Sequence, residues 1–151
     1  MTDLLARTAE LVAVPSVSHQ EGALADLVEQ RLRALGHLVV ERVGDNVVAR
    51  TELGRGQRLV LAGHLDTVPP DGNAEPRIEG DVLWGVGAAD MKGGLAVMLA
   101  LAEAVPEPAV DVTWVFYVAE EVAAEHNGLR HLFAARPDLV RGDAALLGEP
   151  T

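Results

Sequence analysis

The sequence contains no cysteine, and only 3% of its residues are aromatic. The absence of cysteine excludes disulfide bonds, thiolate metal ligands and cysteine nucleophiles from this chain. Any metal ion would therefore have to be held by histidine and carboxylate side chains. With so few aromatic residues, the core must be built from alanine, valine and leucine, which suits helices packed on a parallel sheet.

Basic residues are also scarce, and no long apolar run occurs. Twelve lysines and arginines stand against 23 acidic residues, which gives a formal net charge of −11. Because this charge repels phosphate backbones and anionic lipid head groups, we expect neither nucleic acid nor a membrane as a partner. The N-terminal stretch contains Asp3 and Glu10 and lacks a basic leader, so it predicts no signal peptide and a cytoplasmic location.

The length of 151 residues suits one domain, and the composition favours an α/β fold. Apolar residues at helical spacing predict helices over 2–13 with Thr2 as N-cap, and over 18–36, 95–105 and 127–135. Apolar and β-branched runs predict strands over 38–43, 46–51, 58–63, 82–84, 110–119 and 144–147, the first two joined as a hairpin by Gly44-Asp45.

Some local patterns make sharper predictions. Ser18 followed by Glu21 has the spacing of a capping box, which predicts that a helix begins at Ser18. The segment 95–105 is apolar almost all round, so we expect a buried helix, with Gly93-Gly94 permitting a close approach to its first turn. We expect the strand at 144–147 to be buried too.

Acidic residues and a histidine follow several apolar strands at the points where those strands end. In open α/β sheets, ligands bind beyond the carboxyl ends of the strands, so we expect these side chains to converge, joined by an acid from a glycine-rich turn. The candidate residues are His64, Asp66, Asp90, Glu120, Glu121 and Glu149.

His64 and Asp66 are two positions apart, so an extended backbone places both side chains on the same side. One of them could bind a metal ion while the other orients it. The alternative is a polar strand end that meets solvent, because such a short pattern has many chance occurrences.

Glu120 and Glu121 are adjacent, so their side chains diverge, and one can be a metal ligand while the other reaches a reacting water. That division of roles suits metal-assisted hydrolysis, although a solvated acidic turn is an alternative. Asp90 is expected at the first turn of a buried helix, where it could equally be a structural cap.

This group of residues could serve a metal ion or a nucleotide. The donors of His64, Asp90, Glu121 and Glu149 are of the type that binds Zn²⁺ or a similar divalent ion. Residues 85–90 (GVGAAD) also resemble the opening of a dinucleotide-binding fingerprint. Because Asp90 stands where the third small residue belongs and would repel a pyrophosphate, we do not expect a nucleotide site.

Four stretches of the chain, in this order, resemble the signatures of the M20 metallopeptidase family. They are residues 63–69 (GHLDTVP), 87–94 (GAADMKGG), 120–121 (EE) and 148–151 (GEPT). The resemblance covers essentially the whole chain from its first helix. Within the family, residues 117–121 (YVAEE) and 125–129 (EHNGL) are most similar to the succinyl-diaminopimelate desuccinylases, which hydrolyse N-succinyl-LL-2,6-diaminopimelate to succinate and LL-diaminopimelate.

The resemblance implies a three-layer α/β/α catalytic domain that binds two zinc ions, for which cobalt can substitute. It implies that Asp90 and a water or hydroxide bridge the two ions. His64 and Glu149 would complete the protein ligands of one ion, and Glu121 would serve the other.

The resemblance also assigns roles in the reaction. Glu120 would be the general base towards the bridging water and then the proton donor to the departing amine. Asp66 would hold His64, and the peptide bond after Asp90 would be cis.

Members of the family are more than twice as long as this chain. They contain a lid domain that dimerises and a later segment that supplies a further histidine ligand. We therefore expect residues 1–151 to be the N-terminal part of the catalytic domain, without the lid domain and the C-terminal catalytic segment, able to bind at most one metal ion well and to hydrolyse little. The remaining histidines match no family motif and are expected to be solvated; they are His19, His37, His126 and His131.

Two other functions stay open. A related M20 deacylase or carboxypeptidase, such as acetylornithine deacetylase, would have the same motifs, because most substrate contacts lie outside this part of the family fold. A non-catalytic module would keep the fold with an incomplete site and would bind no zinc. The expected partners are a small acylated amino acid and, for the full-length protein, a second copy contacted through the lid domain.

Overall fold

The computed structural model describes residues 3–149, which form five α-helices and seven strands. The helices are α1 (Leu4–Val12), α2 (Gly22–Ala34), α3 (Gly93–Ala104), α4 (Gly128–Ala135) and α5 (Pro137–Val140). The strands are β1 (Val39–Val43), β2 (Asn46–Arg50), β3 (Arg58–His64), β4 (Arg77–Glu79), β5 (Val82–Trp84), β6 (Asp111–Tyr117) and β7 (Ala144–Leu147).

Five of the strands form one mixed sheet in the order β1-β2-β6-β3-β7. β3 pairs in parallel with β6 and with β7, whereas β2 is antiparallel to both β1 and β6. It follows that β1, β3, β6 and β7 point in the same direction. The predicted α/β fold is confirmed, as is the hairpin formed by β1 and β2. Strands β4 and β5 form a separate antiparallel hairpin.

Helices α1, α2 and α3 cover one face of the sheet, and α4 and α5 cover the other. Alternate residues of β6 point to the two faces, as the pleat of a strand requires. Trp114 and Phe116 pack with Leu24 on the first face, whereas Val115 packs with Leu132 on the second. Because helices lie on both faces, β6 is buried along its whole length, as predicted for a central strand.

The three neighbouring parallel strands all leave the sheet at the same edge. His64 at the end of β3 is in register with Tyr117 at the end of β6. Leu147 at the end of β7 is in register with Ala62, two residues before the end of β3. The residues that follow these strands are thereby brought together, as the pattern of strand ends predicted.

The start of α2 differs from the prediction. The helix begins at Gly22 rather than at Ser18, and Glu21 occupies its N-cap position without a side-chain bond to the helix. Ser18 and Glu21 therefore do not form a capping box, because both side chains bond to other segments, as described below. At α1, the N-cap is Asp3, whose carboxylate accepts the N–H of Ala6 at 3.0 Å; the predicted cap Thr2 lies outside the described residues.

The expected burial of α3 and β7 is only partly observed. Val97 and Leu101 on α3 are each 43% exposed, and all four residues of β7 are exposed, with Leu146 at 58%. Both predictions of full burial are wrong. β7 is an edge strand, and the side of α3 that carries Val97 and Leu101 lies beside this exposed edge. Strand β4 was not predicted, because its alternation of Arg77, Ile78 and Glu79 is too short to be recognised.

None of the described helices is long and apolar enough to cross a membrane.

Candidate metal centre

His64 lies at the end of β3 and is completely buried. Its Nδ1 is 3.0 Å from the carbonyl oxygen of Asp66, and its Nε2 is 3.0 Å from Oδ1 of Asp90. Because a carbonyl oxygen can only accept a hydrogen bond, Nδ1 must carry the proton in that contact. In the neutral ring, this leaves the lone pair of Nε2 directed towards the acidic side chains, as a metal-binding histidine requires.

Asp90 lies in a turn at 88–92 between Gly87 and the start of α3. Gly87 has a φ of 73°, and a Cβ atom there would lie 2.4 Å from a methyl group of Thr67, so this position requires glycine. Asp90 itself has an extended backbone and does not cap α3, whose N-cap residue is Lys92. The peptide bond between Asp90 and Met91 is cis, as the family resemblance implied.

The carboxylate of Asp66 is completely buried and binds the backbone that follows β6. Its Oδ1 accepts the N–H of Glu120 at 2.9 Å, and its Oδ2 accepts the N–H of Glu121 at 3.1 Å. The same Oδ2 accepts the hydroxyl of Ser18 at 2.7 Å, while Nδ1 of His64 lies 3.4 Å from Oδ1. Asp66 thus connects the end of β3 with the backbone of the two glutamates.

Five of the six candidate residues, all except Asp66, form two overlapping groups of possible ligands. In the first group, one ligand atom each of His64, Asp90 and Glu121 lie within 4.8 Å of one another. The second group, with the same spacing, consists of His64, Glu120 and Glu149. A nitrogen donor surrounded by carboxylate oxygens is a donor set that Zn²⁺ accepts, so the residues present fit this ion.

The hydrogen bonds of His64 and Asp66 change the pKa values of these two residues in opposite directions. Burial alone would lower the pKa of His64, but hydrogen bonds to Asp66 and Asp90 raise it to about 9. Burial alone would raise the pKa of Asp66, but its bonds to His64, to two backbone N–H groups and to Ser18 lower it to about 2. Both shifts favour the charged forms, as expected where positive and negative groups are buried together.

The pKa values of the two glutamates shift upwards instead. Burial is the largest cause of the raised pKa of Glu120, and repulsion from Glu149 adds to it. Burial likewise raises the pKa of Glu121, with repulsion from Asp90 as the next cause. Like charges held this close together disfavour full ionisation, and a cation between them would relieve the repulsion.

Sequence comparison identifies the family to which this arrangement belongs. Residues 60–151 match the family model described as peptidase family M20/M25/M40. The chain belongs to this family. The prediction of M20 membership is therefore confirmed. Membership of this family of metal-dependent hydrolases agrees with a cluster of possible metal ligands.

Two relatives of this M20 chain carry the name succinyl-diaminopimelate desuccinylase. One, from Mycobacterium tuberculosis, is 49% identical over 150 residues, and the other, from Corynebacterium glutamicum, is 44% identical over 154 residues. In both comparisons, 99% of this chain aligns with 42% of the relative. The chain thus spans less than half the length of these relatives.

A solved structure has the same fold as this M20 chain. It is the M20 family metallo-carboxypeptidase Sso-CP2 from Sulfolobus solfataricus, which matches with a TM-score of 0.80 at 21% sequence identity. The match covers 98% of this chain and 37% of the other. At this level of identity the similarity concerns the fold, which agrees with the three layers described above.

Three contacts around the M20 site were not foreseen from the sequence. Glu21 accepts the N–H of Ala119, and Ser18 donates to Asp66. Lys92 is 1% exposed and donates from Nζ to the carbonyl oxygen of Val14 at 2.8 Å, while burial lowers its pKa to about 8. The spacing of Ser18 and Glu21 is also that of a capping box. The sequence therefore contained no signal that distinguished a helix cap from contacts with distant residues.

None of the four histidines outside the M20 motifs is in either group of possible ligands. His19, His126 and His131 are exposed, in agreement with the prediction. His37 is half-buried instead: Nδ1 lies 3.2 Å from the carbonyl oxygen of Leu35 and Nε2 lies 3.0 Å from that of Ala102. His37 therefore connects the ends of α2 and α3 rather than being simply solvated.

Proposed function

We propose that this chain is the N-terminal part of the catalytic domain of a di-zinc succinyl-diaminopimelate desuccinylase. In this reaction, water hydrolyses the amide of N-succinyl-LL-2,6-diaminopimelate and yields succinate and LL-2,6-diaminopimelate. The observation that carries the proposal is the convergence of His64, Asp90 and Glu121, from three separate segments, with ligand atoms within 4.8 Å of one another. The desuccinylase names of the relatives at 44–49% identity support the choice of substrate.

Four side chains would hold the metal ions. Asp90 would bridge two zinc ions, His64 and Glu149 would bind one of them, and Glu121 would bind the other. When bound, zinc polarises the amide carbonyl and makes a water more acidic. The lid domain, a further histidine ligand and dimerisation through the lid would come from a longer form of the protein, in keeping with the 42% coverage of the relatives.

Glu120 would transfer the proton in this reaction. Its carboxylate would take a proton from the attacking water and give it to the nitrogen of the departing amine. Burial and the nearby charge of Glu149 raise the pKa of Glu120, which brings it closer to the working pH of a general base. Asp66 would fix both the ring of His64 and the backbone of Glu120, without contacting the substrate.

Metal binding by the 151-residue chain is the first test of this proposal. Calorimetric titration with Zn²⁺ should give one well-bound ion, and His64→Ala should abolish that binding. Glu120→Ala should leave it largely intact, since Glu120 is not one of the four proposed ligands. A wild-type chain that binds no Zn²⁺ would favour the non-catalytic module.

The reaction is tested with the full-length gene product and two substrates. N-succinyl-LL-2,6-diaminopimelate should be hydrolysed in the presence of Zn²⁺, N-acetylornithine should not, and Glu120→Ala should remove the activity. Hydrolysis of N-acetylornithine alone would assign the protein to a different M20 deacylase. Unchanged turnover by Glu120→Ala would refute the role of Glu120 as the base.

A further inference from the structure

The segment between α1 and α2 runs alongside the candidate metal centre. The hydroxyl of Ser16 donates to the carbonyl oxygen of Leu65 at 2.8 Å, and the carbonyl oxygen of Ser16 accepts the N–H of Thr67 at 2.9 Å. Ser18 donates its N–H to the carbonyl oxygen of Thr67 at 3.2 Å, so this segment pairs with the chain directly after β3. Residues 16–21 are therefore attached to the backbone that carries Asp66.

We infer that Glu21 and Ser18 are positioning residues for the pair Glu120-Glu121, an inference that rests on the proposed function. Glu21 is 2% exposed, and its Oε1 accepts the N–H of Ala119 at 3.0 Å. Burying a carboxylate is costly unless it is hydrogen-bonded, so this contact is the main compensation seen for Glu21. The Glu21 side chain makes no hydrogen bond to the N-terminus of α2. It therefore stabilises the loop after β6 rather than its own helix.

Ala119 has an unusual backbone conformation at the point that Glu21 holds. Its φ is 57°, in the left-handed region that residues with a Cβ atom seldom adopt, and it is buried. Such a conformation is unfavourable for a residue with a Cβ atom and persists only where the surroundings enforce it. The bond from its N–H to Glu21 is one such constraint, placed directly before the two glutamates.

Three successive backbone N–H groups are thus bound by two buried carboxylates. Ala119 donates to Glu21, whereas Glu120 and Glu121 both donate to Asp66. Ser18 fixes the Asp66 carboxylate from the other side, through its hydroxyl on Oδ2. The backbone of the proposed base Glu120 and of the proposed ligand Glu121 is therefore held by Asp66, and the residue before them is held by Glu21. Neither Glu21 nor Asp66 is in the two groups of possible ligands.

The test compares variants of Glu21 in the 151-residue chain with a matched control. Glu21→Ala removes the acceptor, whereas Glu21→Gln keeps a carbonyl oxygen that can accept the N–H of Ala119. Val28→Ala is the control, because Val28 is fully buried on the core face of α2 and lies outside the ligand groups. Ser18→Ala supplies a second test that removes a single hydroxyl.

Two measurements are made on each variant: amide hydrogen exchange at residues 119–121, and the Kd for Co²⁺ from its visible absorption. Glu21→Ala should speed exchange at Ala119 and raise the Kd about tenfold, the loss typical of partners that orient a metal ligand. Ser18→Ala should raise the Kd in the same direction and speed exchange at Glu121. Glu21→Gln should stay within about twofold of wild type, and Val28→Ala should lower the Tm while the Kd is unchanged.

Several outcomes would overturn the inference. Wild-type exchange and Kd in Glu21→Ala and Ser18→Ala would show that neither residue positions the pair. If Val28→Ala raised the Kd as much as Glu21→Ala at the same loss of Tm, the effect on metal binding would be a general effect of stability. If Glu21→Gln bound Co²⁺ as weakly as Glu21→Ala, the acceptor oxygen of Glu21 would have no role. If wild type binds no Co²⁺ the proposed function fails, while the exchange rates still decide whether Glu21 holds Ala119.

Discussion

A Cβ atom placed on Gly94 would lie 2.6 Å from the carbonyl oxygen of Gly148. Gly94 is in the first turn of α3, and Gly148 directly precedes the proposed ligand Glu149. The missing side chain at Gly94 therefore allows the chain that leaves β7 to pass close to α3. This is the close approach that the Gly93-Gly94 pair predicted.

Substitution of Gly94 should consequently affect the metal centre through Gly148. In Gly94→Ala, the backbone before Glu149 has to shift, because an atom of the backbone rather than a flexible side chain occupies the space. We expect a loss of about 1–3 kcal/mol in the free energy of unfolding and weaker Zn²⁺ binding. Thermal unfolding and calorimetric titration measure the two effects.

The matched control for this substitution is Gly56→Ala. A Cβ atom on Gly56 meets no atom within 4 Å, and its φ lies outside the left-handed region. This variant should retain both Zn²⁺ affinity and stability. Equal behaviour of the two alanine variants would contradict the importance of the contact between Gly94 and Gly148.

Replacement of Asp66 by asparagine should disorder the backbone that follows β6. Both carboxylate oxygens accept backbone N–H groups, from Glu120 and from Glu121. An amide offers one acceptor oxygen, so at least one N–H group loses its partner at a buried position, which costs roughly 1–3 kcal/mol. We expect a lower Tm and weaker Co²⁺ binding, measured by calorimetry and visible absorption. Retention of wild-type Co²⁺ affinity by Asp66→Asn would argue against this function of Asp66.

Stability at acid pH should depend on Asp111 at the start of β6. Its carboxylate accepts the hydroxyl of Thr51 at 2.7 Å and the N–H groups of Leu53 and Arg55 at 2.9 and 2.8 Å. The bond from Thr51 is the largest cause that lowers the pKa of Asp111, from 3.8 to about 2. A depressed folded-state pKa stabilises the protein above the unfolded value, and this stabilisation is lost as the pH falls through the folded value.

The contribution of Asp111 should therefore be complete above pH 3.8 and disappear towards pH 2. Denaturant unfolding measured across this interval should show a flatter dependence on pH for Asp111→Asn than for wild type. Thr51→Val should give an intermediate slope, because it removes the largest single contribution but keeps both backbone donors. An unchanged slope in Asp111→Asn would contradict this assignment.

Strand β7 leads to a prediction about self-association. It pairs with β3 on one side, and within residues 3–149 no strand pairs with its other edge. An apolar cleft of about 330 Å³ lies beside it, lined by Leu61, Val97, Met98, Leu101 and Leu146. Unpaired edges next to exposed apolar surface promote association between copies. The 151-residue chain should therefore associate as its concentration rises, and Leu146→Lys should reduce this association in light scattering. Glu75→Lys, at an exposed residue that does not line the cleft, should not reduce it.

The sequence was sufficient to predict which side chains come together at the candidate metal centre. His64, Glu121 and Glu149 each follow an apolar strand, and the carboxyl ends of neighbouring parallel strands lie at one edge of a sheet. That rule needs only the order of strands and their direction. It could not show that the carbonyl oxygen of Asp66, rather than its carboxylate, is nearer to Nδ1 of His64.

Contacts that depend on tertiary structure were the part that the sequence could not show. The pattern of Ser18 and Glu21 fits a helix start, yet both side chains bond to residues distant in sequence instead. Glu21 accepts the N–H of Ala119, and Ser18 donates its hydroxyl to the carboxylate of Asp66. The apolar sequence of β7 predicts a buried strand, but β7 lies exposed at the edge of the sheet. Apolar composition alone does not distinguish a central strand from an edge strand.

The proposed ligands come from four segments that are far apart in the sequence: the end of β3, the turn before α3, the loop after β6 and the chain after β7. In an unfolded chain these segments are dispersed, so no comparable cluster of donors exists there. A divalent cation would bind the native state almost exclusively, and its binding free energy would add to the free energy of unfolding. The midpoint of thermal unfolding should then rise with the logarithm of the Zn²⁺ concentration, so that the folding equilibrium itself reports occupancy of the centre.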